Sequence, residues 1–146
     1  MKYSEGRMGR VFVVKIEDGD NLVESIKELA RKEQVNSAAV FMVGALRQAE
    51  IVVGPVEPVL PPDPVWKGFD DAREIIGIGT LFKDGDDPNM HLHIGAGRGD
   101  VALVGCLRNN GKAYILVEVI ILEITGTDAV RSIDPETGLK MLNFLR

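Results

Sequence analysis

Apolar and polar residues alternate between strand-like and helix-like periods along this chain. Arg10 to Ile16 is β-branched and apolar and runs into the turn cluster Glu17-Asp18-Gly19-Asp20, which predicts a buried strand. Asn21 then offers an N-cap oxygen, with Glu24 three residues on. Leu22, Ile26, Leu29 and Ala30 share one helical face, so an amphipathic helix ending near Gln34 follows. Ser37 to Val43 and Gln48 to Val53 read as two further strands, with Gly44 marking a bulge or bend between them.

Five of the seven prolines fall between Gly54 and Pro64, which predicts an extended loop, because proline cannot donate to a ladder or sit inside a helix. Beyond it the apolar runs Ala72 to Phe82, Met90 to Ala96, Val101 to Leu107 and Lys112 to Thr125 are separated by short Gly-, Asn- and Asp-rich breaks. Connections this short join antiparallel neighbours, since a parallel crossover needs about a dozen residues. The fold class expected is α+β: a largely antiparallel, curled sheet of about seven strands with one main amphipathic helix. Ala113 to Ile124 is apolar on both faces apart from Glu118 and Glu123. One helix cannot cover both faces of such a sheet, so it must close on itself or meet another subunit, and a homo-oligomer is expected.

Composition narrows the class. At 146 residues, 45% hydrophobic and 27% charged, the chain has the make-up of one folded domain, read as residues 10–146 behind a short arm, 1–9. No apolar run reaches the ~20 residues of a membrane helix, the N-terminus lacks a signal-peptide core, and the lone Cys106 cannot form an internal disulfide. A cytoplasmic protein is expected. The net charge of −5 argues against a strong duplex DNA binder; Lys2, Arg7 and Arg10 form the one local basic cluster, otherwise a solvated terminus.

The only histidines, His91 and His93, occur as His-x-His in a strand, which puts both imidazoles on one face and Met90, Leu92 and Ile94 on the other. Such a pair offers a first-row metal two nitrogen ligands, or else two half-exposed imidazoles bonded to neighbours. Cys106 follows across a short turn and would sit alongside. A thiolate with two imidazoles suits Zn²⁺ with a fourth position open, while the alternative for Cys106 is a small buried hydrophobe. Glu118, a carboxylate within an apolar strand, needs a partner: Arg47, Arg73, a histidine or a metal. With a metal nearby it is a candidate general base. Phosphate-loop, dinucleotide and serine-elbow motifs are absent.

Together Gly9-Arg10-Val11-Phe12-Val13, Glu17-Asp18-Gly19-Asp20-Asn21-Leu22, Gly44-Ala45-Leu46-Arg47-Gln48-Ala49, Glu74-Ile75-Ile76, His91-Leu92-His93 and Asp134-Pro135-Glu136-Thr137-Gly138-Leu139 resemble the PPC (plants and prokaryotes conserved) domain. In plants that domain accompanies AT-hook DNA-binding motifs. The resemblance runs nearly end to end. It implies a compact α+β fold, a homotrimer and a metal-bound His-x-His site of the kind found in some archaeal and bacterial relatives. Two departures qualify it. Val104-Gly105-Cys106-Leu107 stands where relatives typically carry Gly-Gly-His-Leu, so Cys106 replaces a third histidine. The Gly-Arg-Pro core of an AT hook is absent, because neither Gly6-Arg7 nor Gly9-Arg10 precedes a proline. Three functions are therefore expected in order: a trimeric regulatory module with zinc at His91, His93 and Cys106 and weak DNA contact at most; a small metal-dependent enzyme for an anionic small molecule; and a structural oligomer without metal.

Overall fold

The computed structural model describes residues 1–145. The chain runs β1 (Arg7–Glu17), α1 (Leu22–Glu33), β2 (Ser37–Pro55), β3 (Pro64–Phe69), β4 (Arg73–Asp84), β5 (Asp87–Arg98), β6 (Val101–Thr125), β7 (Ala129–Ile133) and β8 (Lys140–Phe144). Strands β1 to β6 make one antiparallel sheet in the order β1-β6-β5-β4-β2-β3, and β7 pairs with β8 in a separate two-stranded ribbon. A further pairing of β2 with β6 curls the sheet back on itself. The architecture is α+β as expected, with six strands in the main sheet and two beside it. Among the described residues no helix is long and apolar enough to cross a membrane.

The helix forms where the sequence placed it. Asn21 Oδ1 accepts from Glu24 N–H at 3.1 Å, and Gln34 closes the other end in a left-handed conformation with φ of 56°. Leu22, Ile26 and Ala30 are buried against the core, where each large aliphatic side chain contributes about 2 kcal/mol. The helix packs over β5 and β6. It covers one face only. That inner face carries Ile16, Val40, Met42, Leu81, Leu92, Ile94, Val117, Val119 and Ile121, all buried.

Strand boundaries differ from expectation wherever pairing overrides turn chemistry. The two strands expected either side of Gly44 are one, β2, with the register shift at Gly44/Ala45; Gly44 has φ of 144°, and a Cβ there would lie 2.5 Å from the Leu116 carbonyl oxygen. Similarly β6 continues through Asn109-Asn110-Gly111, because pairing with β2 persists there as a series of bulges. β3 was hidden by Pro64, which an edge strand tolerates at its first position. β7 and β8, five residues each, carry no apolar–polar alternation, since Ala129-Val130 and Met141-Leu142 are adjacent apolar pairs. β1 starts at Arg7 because its first residues pair with Ile124 and Thr125.

Glu123 is buried, and its carboxylate is held by Arg10 through the backbone N–H at 3.0 Å, Nε at 2.8 Å and Nη2 at 2.8 Å. These bonds pull the Glu123 carboxyl from an ordinary 4.5 down to about 2. A depressed carboxylate stabilises the fold at pH values above its unfolded pKa, and that contribution disappears as pH falls through the folded value. Glu123→Gln should therefore cost about 2 kcal/mol near neutrality, in line with breaking a largely buried pair whose arginine is half-exposed. Urea unfolding at several pH values checks this: the gap to wild type should be full at pH 7 and shrink between pH 4.5 and 2.

Candidate metal centre

The alternation along β5 does what the sequence predicts. Leu92 and Ile94 point into the core, whereas His91 and His93 stand on the outer face. Their Nε2 atoms are 3.1 Å apart, and the rings meet edge to face at a centroid distance of 4.9 Å. His93 is the register partner of Cys106 on β6, so all three side chains share one face. The donor atoms of His91, His93 and Cys106 lie within 4.8 Å of one another. That separation lets one ion reach all three after small rotamer adjustments, and a tetrahedral Zn²⁺ takes this donor set with one position left over.

Cys106 is buried because β6 is paired on both edges at that point, with His93 on β5 and with Val52 on β2. Its neighbour Gly105 is required by the same squeeze: a Cβ there would lie 2.3 Å from the Val52 carbonyl oxygen. Burial pushes the Cys106 thiol upward, opposed by the positive charges of Arg108 and Arg131. Desolvation, followed by His93, Arg131 and Arg108, pulls the His91 imidazole below its ordinary value, which keeps it neutral near pH 7.

Two arginines that sequence reasoning did not single out stand beside the group. Arg131 of β7 is buried, donates from Nη2 to Thr80 Oγ1 at 2.9 Å and lies 5.6 Å over the Phe82 ring. Thr80 is the register partner of His91. Arg108 is exposed, two residues after Cys106. The available signal was proximity in sequence, Arg108 to the cysteine and Arg131 to Asp134-Pro135-Glu136-Thr137-Gly138-Leu139, which forms the turn between β7 and β8.

The remaining candidates lie elsewhere. Glu118 is exposed, opposite Lys15 on β1 and Val43 on β2. From there β2 and β4 intervene before β5, on the order of 14 Å at ~4.8 Å per strand, so one protomer does not bring Glu118 to the histidines. Arg47 binds Asp18 at 2.9 Å and stacks on Tyr114 at 5.1 Å. Arg73 binds Asp71 at 2.7 Å and stacks on Phe69 at 4.9 Å. Arg10 is committed to Glu123; Lys2 and Arg7 are exposed.

A curled antiparallel sheet with one capping helix and a His-x-His/Cys cluster on its outer face defines a small β-rich domain with a candidate metal centre. The chain belongs to the Plants and Prokaryotes Conserved domain family, whose model matches residues 3–125. It is similar to a metal-containing protein of Archaeoglobus fulgidus, at 27% identity and a TM-score of 0.85 over 100% of both chains. A plant- and prokaryote-conserved protein of Pyrococcus horikoshii shares the fold at 20% identity and a TM-score of 0.85, covering 100% of this chain and 99% of the other. So does a candidate DNA-binding protein of Bacteroides thetaiotaomicron, at 22% identity and a TM-score of 0.81, covering 98% and 99%. No curated protein sequence matches the chain.

If Cys106 is a ligand, Cys106→Ser should weaken zinc by an order of magnitude or more without unfolding the domain. Competition with a chelator checks this. In both proteins affinity should fall as pH drops, because the imidazoles, and in wild type also the raised thiol, must be deprotonated to coordinate. The fall should be steeper in wild type. Equal zinc affinity in the two proteins would remove Cys106 from the site.

Proposed function

We propose that this protein is a homotrimeric regulatory or interaction module of the PPC class, acting in the cytoplasm, with Zn²⁺ held by His91, His93 and Cys106 and with only weak contact to duplex DNA. The observation that carries the zinc reading is the convergence of three donor atoms within 4.8 Å from two strands. The metal-containing archaeal relative supports it. Metal analysis of the purified protein and of His91→Ala tests it: about one zinc per chain in wild type and a marked loss in the variant are expected, and an equal, near-zero content in both would overturn it.

Support for self-association comes from the outer face of the sheet. Val13, Ile120, Phe41, Ile78, His93 and Cys106 form one continuous register row across β1, β6, β2, β4, β5 and back to β6. Val13 and Ile78 keep 81% and 61% of their surface exposed, and Val43, Ile76 and Val104 extend the patch in the next row. A patch of this kind marks a protein interface. Light scattering should give three chain masses for wild type and a smaller species for Ile78→Asp; a single-chain mass across dilution would defeat the trimer.

DNA binding has less support. The net charge is −5 and Arg10 is spent on Glu123, which leaves Lys2 and Arg7 as the exposed positive charges near each N-terminus, multiplied threefold in a trimer. Fluorescence anisotropy on a duplex should show micromolar or weaker binding that fades with added salt. Nanomolar binding that survives high salt would contradict this. A metal-dependent enzyme for an anionic small molecule is the second reading, and one observation favours it: the buried Arg131 next to the donor cluster.

A further inference from the structure

Arg131 is an anomaly of charge. The residue keeps only 7% of its surface exposed, its Nε has no hydrogen-bond partner among the described residues, and the hydrogen bond its side chain makes there goes to a neutral hydroxyl, Thr80 Oγ1. No carboxylate of the described residues lies within ion-pair distance of it, although Arg10, Arg31, Arg47, Arg73 and Arg98 each have one. A guanidinium stays protonated in proteins, so a buried one requires an anion. Desolvation already disfavours its charge.

Its position says where that anion belongs. Thr80, which Arg131 grips, stands directly opposite His91, and the charge of Arg131 is felt at both His91 and Cys106. Arg108 adds a second positive charge to the same two groups. Two neutral imidazoles and one thiolate around Zn²⁺ sum to a single positive charge, so with both guanidiniums the locality is strongly cationic. It also keeps one open coordination position.

We propose that an oxyanion binds at this point, one oxygen filling the fourth zinc position and another taking the free Nε–H edge of Arg131. The inference rests on the zinc reading given above and deepens it. Carboxylates and phosphates share the required chemistry: a planar or tetrahedral group with two oxygens that can reach both a zinc ion and a guanidinium. The site is thus a receptor for a small acid or phosphate ester, and Arg131, Arg108 and Thr80 are the residues that select for negative charge.

The test uses the intact protein with cobalt(II) in place of zinc, because the ligand-field absorption of cobalt reports a change of fourth ligand. Cobalt uptake in anion-free buffer comes first; failure of wild type to take up cobalt or zinc would sink the metal reading and this proposal with it. Phosphate and, separately, acetate are then titrated in. A saturable change of the cobalt bands with at least one of them is expected, and which one responds separates phosphate from carboxylate ligands. Arg131→Gln should take up cobalt as before yet bind that anion roughly ten-fold more weakly, the usual worth of a charge-assisted hydrogen bond. Arg131→Lys, which keeps the charge but not the fork, should fall between the two and stands in should the glutamine variant fail to fold. Bands that ignore both anions in wild type, or wild-type anion affinity in either folded variant, would overturn the proposal while leaving the zinc reading intact.

Discussion

The whole structure hangs on the double pairing of β6. Its first residues pair with β5, and from Cys106 onward one edge runs along β2 while the later half of the other edge runs along β1. A 25-residue strand cannot stay flat while changing neighbours, so it bends through bulges and draws the sheet round until β2, reached through β5 and β4, pairs with it directly. Backbone groups that would be open edges are thereby satisfied. At the crossing, Val52 and His93 flank Cys106 on either side, and Gly105 is the residue that lets the β2 backbone approach. The thiol is buried and registered against an imidazole by the same contact that closes the sheet.

Closure also divides the faces. The inner face is filled by α1 and the aliphatic residues of β2, β5 and β6, which leaves the outer face with its apolar row and the donor cluster at the end of that row. The exposed apolar row and the donor cluster share one continuous surface, so the proposed assembly and the proposed metal binding would report on each other. The ribbon β7–β8 contributes differently: it lies against β4 and inserts Arg131 beside the histidines, bringing a positive charge from the last quarter of the chain to a site built from the middle.

Three of the five cations that sequence reasoning offered for function turn out to be occupied. Arg10, Arg47 and Arg73 each hold an acidic partner, and two of those partners, Asp18 and Asp71, lie in turn or loop segments that the pairs anchor. Arg131, which has no such partner among the described residues, went unnoticed because a five-residue strand with one buried charge has no periodicity to betray it.

What the sequence determined by itself was local. The period-two alternation around His91 and His93 put both rings on one face, Asn21 and Glu24 set the helix start, and Gly44 marked a bulge, because each of these depends on residues only a few positions apart. It also brought Cys106 within reach of the histidines, since a short turn between β5 and β6 leaves few registers open. Only the tertiary structure decided that two pairs of expected strands are single bent ones, that Glu118 stands three strands from the donors, that Glu123 takes Arg10, and that Arg131 arrives from β7. Those outcomes depend on which distant segment pairs with which, and hydrogen-bonded ladders satisfied along 25 residues outweigh the local preference of Asn109-Asn110-Gly111 to turn.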